Sequence, residues 1–199
     1  MPITLIETNY IVQNICLILP EVSKEYDFRK YPADEYHILR DEFAAMAASG
    51  ESIEKALVWK WGHWGKPNYP QCHRLLISEI QGFWEEFSES EEKGRPYDTF
   101  TWWQRRLGRP TTYITAAFLA HLVHHQSPLP IIDQHNYRAM NALIASVRPA
   151  YSHKKRPSSW NDIELLRSFM VLLCERLPNI GFGGLDRFLM MYGRNHVIH

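Results

Sequence analysis

One stretch of the 199-residue chain gathers residue types that can do chemistry: 107–143, LGRPTTYITAAFLAHLVHHQSPLPIIDQHNYRAMNAL. Its only acid is Asp133. Preceded by Pro130-Ile131-Ile132 and followed by a helical pattern, Asp133 stands where helix N-caps stand. A carboxylate there accepts backbone N–H groups and meets the positive end of a helix, and both favour its charged form. A rigidly held negative charge suits a reaction whose transition state gathers positive charge. Cleavage of a sugar–base bond is such a reaction, because it passes through an oxocarbenium-like sugar. A fixed carboxylate stabilises that state more than the neutral ground state and can orient the attacking water. Aspartate is also a favoured N-cap for purely structural reasons, so position alone does not separate the two roles.

The residues around Asp133 extend the pattern. Upstream, Gly108 marks a tight turn between two helical segments, and the start of the second segment presents backbone N–H groups suited to a phosphate. Thr111 and Thr112 are placed to cap that helix or to bond the same phosphate. Arg105, Arg106 and Arg109 precede or enter the turn, and His153-Lys154-Lys155-Arg156 follows the Asp133 helix. Both groups are candidate backbone contacts, although basic runs are often only solvated loops. Seven tryptophans are present, and WKWGHWGKP (59–67) is the best candidate for a base pocket, with Trp59, Lys60, Trp61 and Trp64. An enzyme acting on a base must turn it out of the stack and pack it between flat side chains. His121, His124 and His125 have helical metal-ligand spacing, but neither HExxH nor a neighbouring carboxylate accompanies them, and neither a metal nor another cofactor is expected.

The elements that must position these groups read as helices. Ala33–Ala48, a short helix from Ser52, a longer one from Pro70, and segments FTWWQRRL, TAAFLAHLVHH and QHNYRAMNALIASV all show helical spacing. Ser159 and Asp162 fit a capping box, and Gly181, Gly183 and Gly184 are expected to break the chain before LDRFLMMYG. The fold class is therefore all-α, with one short extended piece expected near Ile3–Val12. The chain is expected to form one two-lobed unit with a central cleft: about 40–128 in one lobe, 1–39 plus 129–199 in the other. No signal peptide or membrane span is expected, so the reading is a cytoplasmic monomer with reduced, mostly buried cysteines (Cys16, Cys72, Cys174). Net charge is zero, but residues 1–92 hold 16 Asp/Glu and 8 Lys/Arg, whereas 93–199 hold 6 and 14. If the halves correspond to faces, the second half offers a basic surface to phosphates.

P-I-I-D-Q-H-N-Y-R-A-M resembles the P-V-D-x-H-V-x-R segment of helix-hairpin-helix DNA glycosylases, with Asp133, His135 and Arg138 on matching positions. The interval back to Thr111–Thr115 agrees with a hairpin and its second helix, and Trp59-Lys60-Trp61-Gly62 resembles a segment of bacterial proteins with the 8-oxoguanine glycosylase fold. The resemblance covers about 40 residues well. It implies DNA as partner and Asp133 as the catalytic residue; with the residues read above, the expected DNA contacts are Gly108, Arg109, Thr111, Thr112, Arg105, Arg138, Lys154, Lys155 and Arg156. His135 is expected with Trp59, Lys60, Trp61 and Trp64, whose neighbouring glycines and lysines imply an accessible turn, around a flipped base. Two departures stand out: the hairpin has one glycine, with Pro110 near the position of the second, and Tyr113-Ile114 stand where bifunctional members carry a Schiff-base lysine. The implied activity is monofunctional base excision leaving an abasic site, in DNA repair or antiviral defence. The alternative is a non-catalytic helix-hairpin-helix DNA-binding protein, and a weaker third reading is a helical interaction protein that binds no nucleic acid.

Overall fold

A computed structural model describes residues 3–152 and 154–197, and His153 lies outside them. Among the described residues the regular structure is helical and there is no strand. The helices are α1 (Leu5–Lys24), α2 (Ala33–Ala44), α3 (Gly50–Lys60), α4 (Gln71–Glu89), α5 (Pro96–Leu107), α6 (Tyr113–Val123), α7 (Gln134–Val147), α8 (Trp160–Cys174) and α9 (Gly181–Asn195).

The extended piece expected near Ile3–Val12 is instead the start of α1. Thr4 caps it reciprocally with Glu7: the Glu7 N–H donates to Thr4 Oγ1 at 3.3 Å and the Thr4 N–H donates to Glu7 Oε2 at 2.7 Å. Thr8, Ile11, Ile15 and Val22 then fall on one buried face, a helical period that overrides the β-branched local composition. The helix expected over 33–48 stops at Ala44, because Met46 takes a left-handed φ of 56°. The short helix expected from Ser52 starts at Gly50 as α3, with Ser49 Oγ accepting from the Ser52 N–H at 3.1 Å. The glycines at 181–184 lie inside the first turn of α9, and only Gly181 needs its positive φ of 64°. The Ser159–Asp162 capping box forms as its spacing predicts.

The helices segregate into two compact units, one of residues 1–26 and 128–199, the other of residues 27–127. α2 lies wholly in the second, so the boundary expected near residue 40 falls instead before that helix. The first unit buries Ile11 and Ile15 of α1, Ala139 and Met140 of α7, Leu166 and Met170 of α8, and Leu185 and Leu189 of α9. The second buries Phe43, Leu57, Ile80, Phe87, Trp103, Phe118 and Leu122. The division also dissolves most of the charge split. Residues 27–127 hold 14 Asp/Glu and 12 Lys/Arg, a net of −2, and the remaining residues hold 8 and 10, a net of +2. The acidic and basic sequence halves therefore do not correspond to the two units. None of the three cysteines is joined in a disulfide; Cys16 and Cys72 are exposed and Cys174 is half-buried, which corrects the expectation of mostly buried thiols.

Candidate active site

Asp133 caps α7 from an extended conformation, φ −147° and ψ −177°. Its Oδ1 accepts the His135 N–H at 2.7 Å and the Asn136 N–H at 3.0 Å. The cap is reciprocal, since Asn136 Oδ1 accepts the Asp133 N–H at 2.9 Å. Asn136 is buried, and its Nδ2 donates to the Ile131 carbonyl at 2.7 Å and to Asp186 Oδ1 on α9 at 3.3 Å. One amide side chain therefore ties both sides of Ile132, fixing the segment that presents Asp133. The carboxylate itself is half-buried, so it is rigid yet not sealed in the core.

The packing beneath this turn is unusually close. α7 packs more extensively on α9 than on any other helix. At Gly193 a Cβ would stand 1.9 Å from the His135 carbonyl oxygen and 3.1 Å from the Ala139 nitrogen. Only glycine lets the two backbones approach there. Arg138 Nη1 donates to the Gly193 carbonyl at 3.1 Å, so this expected DNA contact has a structural role in clamping α9 to the Asp133 helix. Sequence reasoning missed Asn136, Asp186 and Gly193. Asn136 carried a readable signal, an acceptor three residues after the cap. The other two lie more than 50 residues downstream of Asp133 and have no local pattern.

The basic loop after α7 is anchored by a buried acid. Asp162 accepts the Ser158 and Ser159 N–H groups at 2.8 and 2.9 Å, Ser159 Oγ at 2.9 Å, Tyr137 Oη at 3.1 Å and Lys154 Nζ at 3.1 Å. Burial pushes the Asp162 carboxyl up, but the Ser158 and Ser159 hydrogen bonds, with Lys154 and Tyr137, outweigh it and hold it below its ordinary value. Burial, then the Asp162 charge and hydrogen bond, raise the Tyr137 hydroxyl well above the usual tyrosine value. Lys154 is thus paired with Asp162 while remaining exposed, as are Lys155 and Arg156.

In the other unit α5 and α6 pack together across a turn at Gly108, whose φ of 59° places it in the left-handed region. The phosphate grip expected here is partly spent within the chain. The Gly108, Thr112 and Tyr113 N–H groups donate to the Gln104, Arg109 and Pro110 carbonyls. Thr112 stands at the N-cap of α6 but is buried, and its hydroxyl donates to the Arg109 carbonyl at 2.6 Å rather than capping the helix; Thr111 is exposed. Arg109 pairs with Glu79, Arg106 with Glu86, and Arg105 with Glu92 at 3.6 Å. These arginines are half-exposed and their pairs are of the weak surface kind. A nearby open depression is lined by Glu91, Glu92, Arg95 and Asp98, a charge unsuited to phosphate.

The tryptophan segment separates into core and surface. Trp59 is buried, stacks on Tyr36 at 4.7 Å and donates its indole N–H to the Pro32 carbonyl at 3.1 Å; it is a core residue and not a pocket wall. Lys60 lies over the Phe118 ring at 5.8 Å. Trp61 and Trp64 are half-buried, and Trp61 stacks on His73 at 3.9 Å. His73 Nδ1 lies 3.2 Å from His63 Nε2. Burial lowers both imidazoles, and Lys66 adds to the effect at His63. His135 belongs to the Asp133 unit and this segment to the other. His121 bonds Tyr36, His124 meets Thr99 Oγ1 at 2.8 Å, and His125 lies 3.7 Å from Asp41. The three point to different partners, and no group of three or more metal-binding side chains occurs among the described residues. No described helix is long and apolar enough to cross a membrane.

No protein-family model, no curated protein and no solved structure matches the chain.

Proposed function

We propose that the chain is a monofunctional DNA glycosylase, a monomeric cytoplasmic enzyme of repair or antiviral defence, in which Asp133 supports hydrolysis of the bond between deoxyribose and a flipped base. The observation that carries this reading is the half-buried Asp133 carboxylate, clamped by two backbone amides at 2.7 and 3.0 Å on a helix N-terminus. As the bond to the base stretches, positive charge grows on the sugar, and a fixed anion beside it lowers the barrier without reorganising. The sequence resemblance over 107–143 supplies the substrate class, and the lack of a lysine between Lys93 and Lys154 leaves water as the nucleophile. Lys155 and Arg156, together with Thr111 and the half-exposed Arg105 and Arg109, are the cationic and polar groups offered to phosphates.

The reading is tested without knowing the base. Duplexes are prepared with a cationic pyrrolidine abasic-site analogue and with its neutral tetrahydrofuran counterpart. The wild-type protein is expected to prefer the cation, and Asp133→Asn to lose that preference. Equal affinity of the wild-type protein for the two duplexes would overturn the role of Asp133. The single glycine of the hairpin and the lack of a lysine at Tyr113-Ile114 fit a second reading, a non-catalytic helix-hairpin-helix DNA-binding protein, for which duplex binding would show no dependence on Asp133 at all.

A further inference from the structure

Asn136 has one amide and three partners, and their chemistry fixes its orientation. On the nitrogen side lie two acceptors, the Ile131 carbonyl at 2.7 Å and Asp186 Oδ1 at 3.3 Å. On the oxygen side lies one donor, the Asp133 N–H at 2.9 Å. Turning the amide over would set its oxygen against two oxygens and its NH₂ against an N–H, with all three hydrogen bonds lost. Asn136 and Asp186 are both buried, so water does not compensate such a loss. The side chain also lies in the same unit as Asp133, and Asp186 reaches it from α9 across the most extensive helix packing in that unit.

Resting on the assignment of Asp133 above, we propose that Asp186 is a positioning residue for Asp133, acting through Asn136. Asp186 holds the Asn136 amide in the orientation that captures the Asp133 N–H. That bond, with the Ile131 bond beside it, sets the backbone from which the Asp133 carboxylate projects. Asp186 itself takes no part in the chemistry. Its worth lies in keeping the carboxylate within the small tolerance that a charge-stabilising group has, since a displacement of about 1 Å can cost on the order of a hundredfold in rate.

The test uses the full chain and three variants. Asp186→Ala removes the acceptor, Asp186→Asn retains an oxygen that accepts from Asn136 Nδ2, and Asp133→Asn removes the charge. Two readouts are taken on folded protein: amide hydrogen exchange at Asp133, and the affinity ratio between the pyrrolidine and tetrahydrofuran duplexes. In Asp186→Ala, exchange at the Asp133 N–H is expected to accelerate and the affinity ratio to fall about tenfold or more. Affinity for the neutral duplex stays unchanged. Asp186→Asn is expected to restore both. If Asp186→Ala does not fold, Asp186→Ser, which draws the acceptor back from the amide, replaces it. Unchanged exchange and an unchanged ratio in the folded variant would overturn the proposal. A ratio insensitive to Asp133→Asn as well would overturn the catalytic assignment, and altered exchange with that result would leave Asp186 a purely structural partner, which also refutes the proposal.

Discussion

Replacing Gly193 by alanine probes the contact beneath the Asp133 helix. The new Cβ would stand 1.9 Å from the His135 carbonyl oxygen and 2.7 Å from its carbon, well inside van der Waals contact. Both atoms are backbone, so no side-chain rotation relieves the collision, and α7 and α9 must separate by more than an ångström. Overpacking of this kind costs about 3 kcal/mol when the surroundings cannot yield. Alanine gains about 1 kcal/mol over glycine in a helix interior, which leaves a net loss of about 2 kcal/mol. For a chain of this size that corresponds to a melting temperature lower by roughly 4–8 °C. Gly82 in α4 is the control, because a Cβ there meets nothing within 4 Å. Gly82→Ala is expected to stabilise by about 0.5–1 kcal/mol. The assay is thermal unfolding followed by far-UV circular dichroism and by Trp160, the one tryptophan of the 1–26 and 128–199 unit. A Gly193→Ala protein as stable as the wild type would refute the close-approach argument.

Three further outcomes are expected. Asp162→Ala leaves the Ser158 and Ser159 amides, Lys154 and Tyr137 without their shared acceptor; it should cost about 3 kcal/mol in urea unfolding and speed amide exchange at 158–159. Glu7 is held down to about 2 by the Arg148 hydrogen bond first, then by the Thr4 backbone and side chain. Since its folded value lies below the ordinary 4.5, its contribution to stability is fully present above about 4.5 and is lost as pH falls toward 2. The difference in melting temperature between wild type and Arg148→Met should therefore be clear at pH 7 and shrink through that window. Glu79→Gln, which releases Arg109 from its partner, should strengthen duplex DNA binding at low salt and steepen its salt dependence by about one phosphate contact, as read by fluorescence anisotropy.

Much of the helical order was legible because periodicity and capping are local. Asp133 as an N-cap and the Ser159–Asp162 box are set by residues within three positions of one another. Errors arose where a local signal competed with packing. Ile3–Val12 looks extended by composition, yet the Thr4–Glu7 cap and the buried face of α1 decide for helix. Trp59 looked available because glycines and lysines follow it, but Tyr36 and Pro32, more than 20 residues away in sequence, enclose it. The charge split misled for a related reason: the basic stretch 93–127 belongs to the unit of residues 27–127 and α1 to the other, so the sequence halves are not the units. The supports of the candidate site, Asp186 and Gly193, were invisible because their meaning exists only once α9 lies on α7.

In the proposed function the Asp133 carboxylate supports base release. Its most direct test is incubation of the purified protein and its Asp133→Asn variant with duplex and single-stranded DNAs carrying oxidised, alkylated and virus-type modified bases. Abasic sites are scored by alkaline cleavage. Release from at least one substrate is expected from the wild type, with strand cleavage only after alkali, and a fall of roughly a hundredfold or more in Asp133→Asn. Release at the wild-type rate by Asp133→Asn, or duplex binding with no release from any base in the panel, would contradict it.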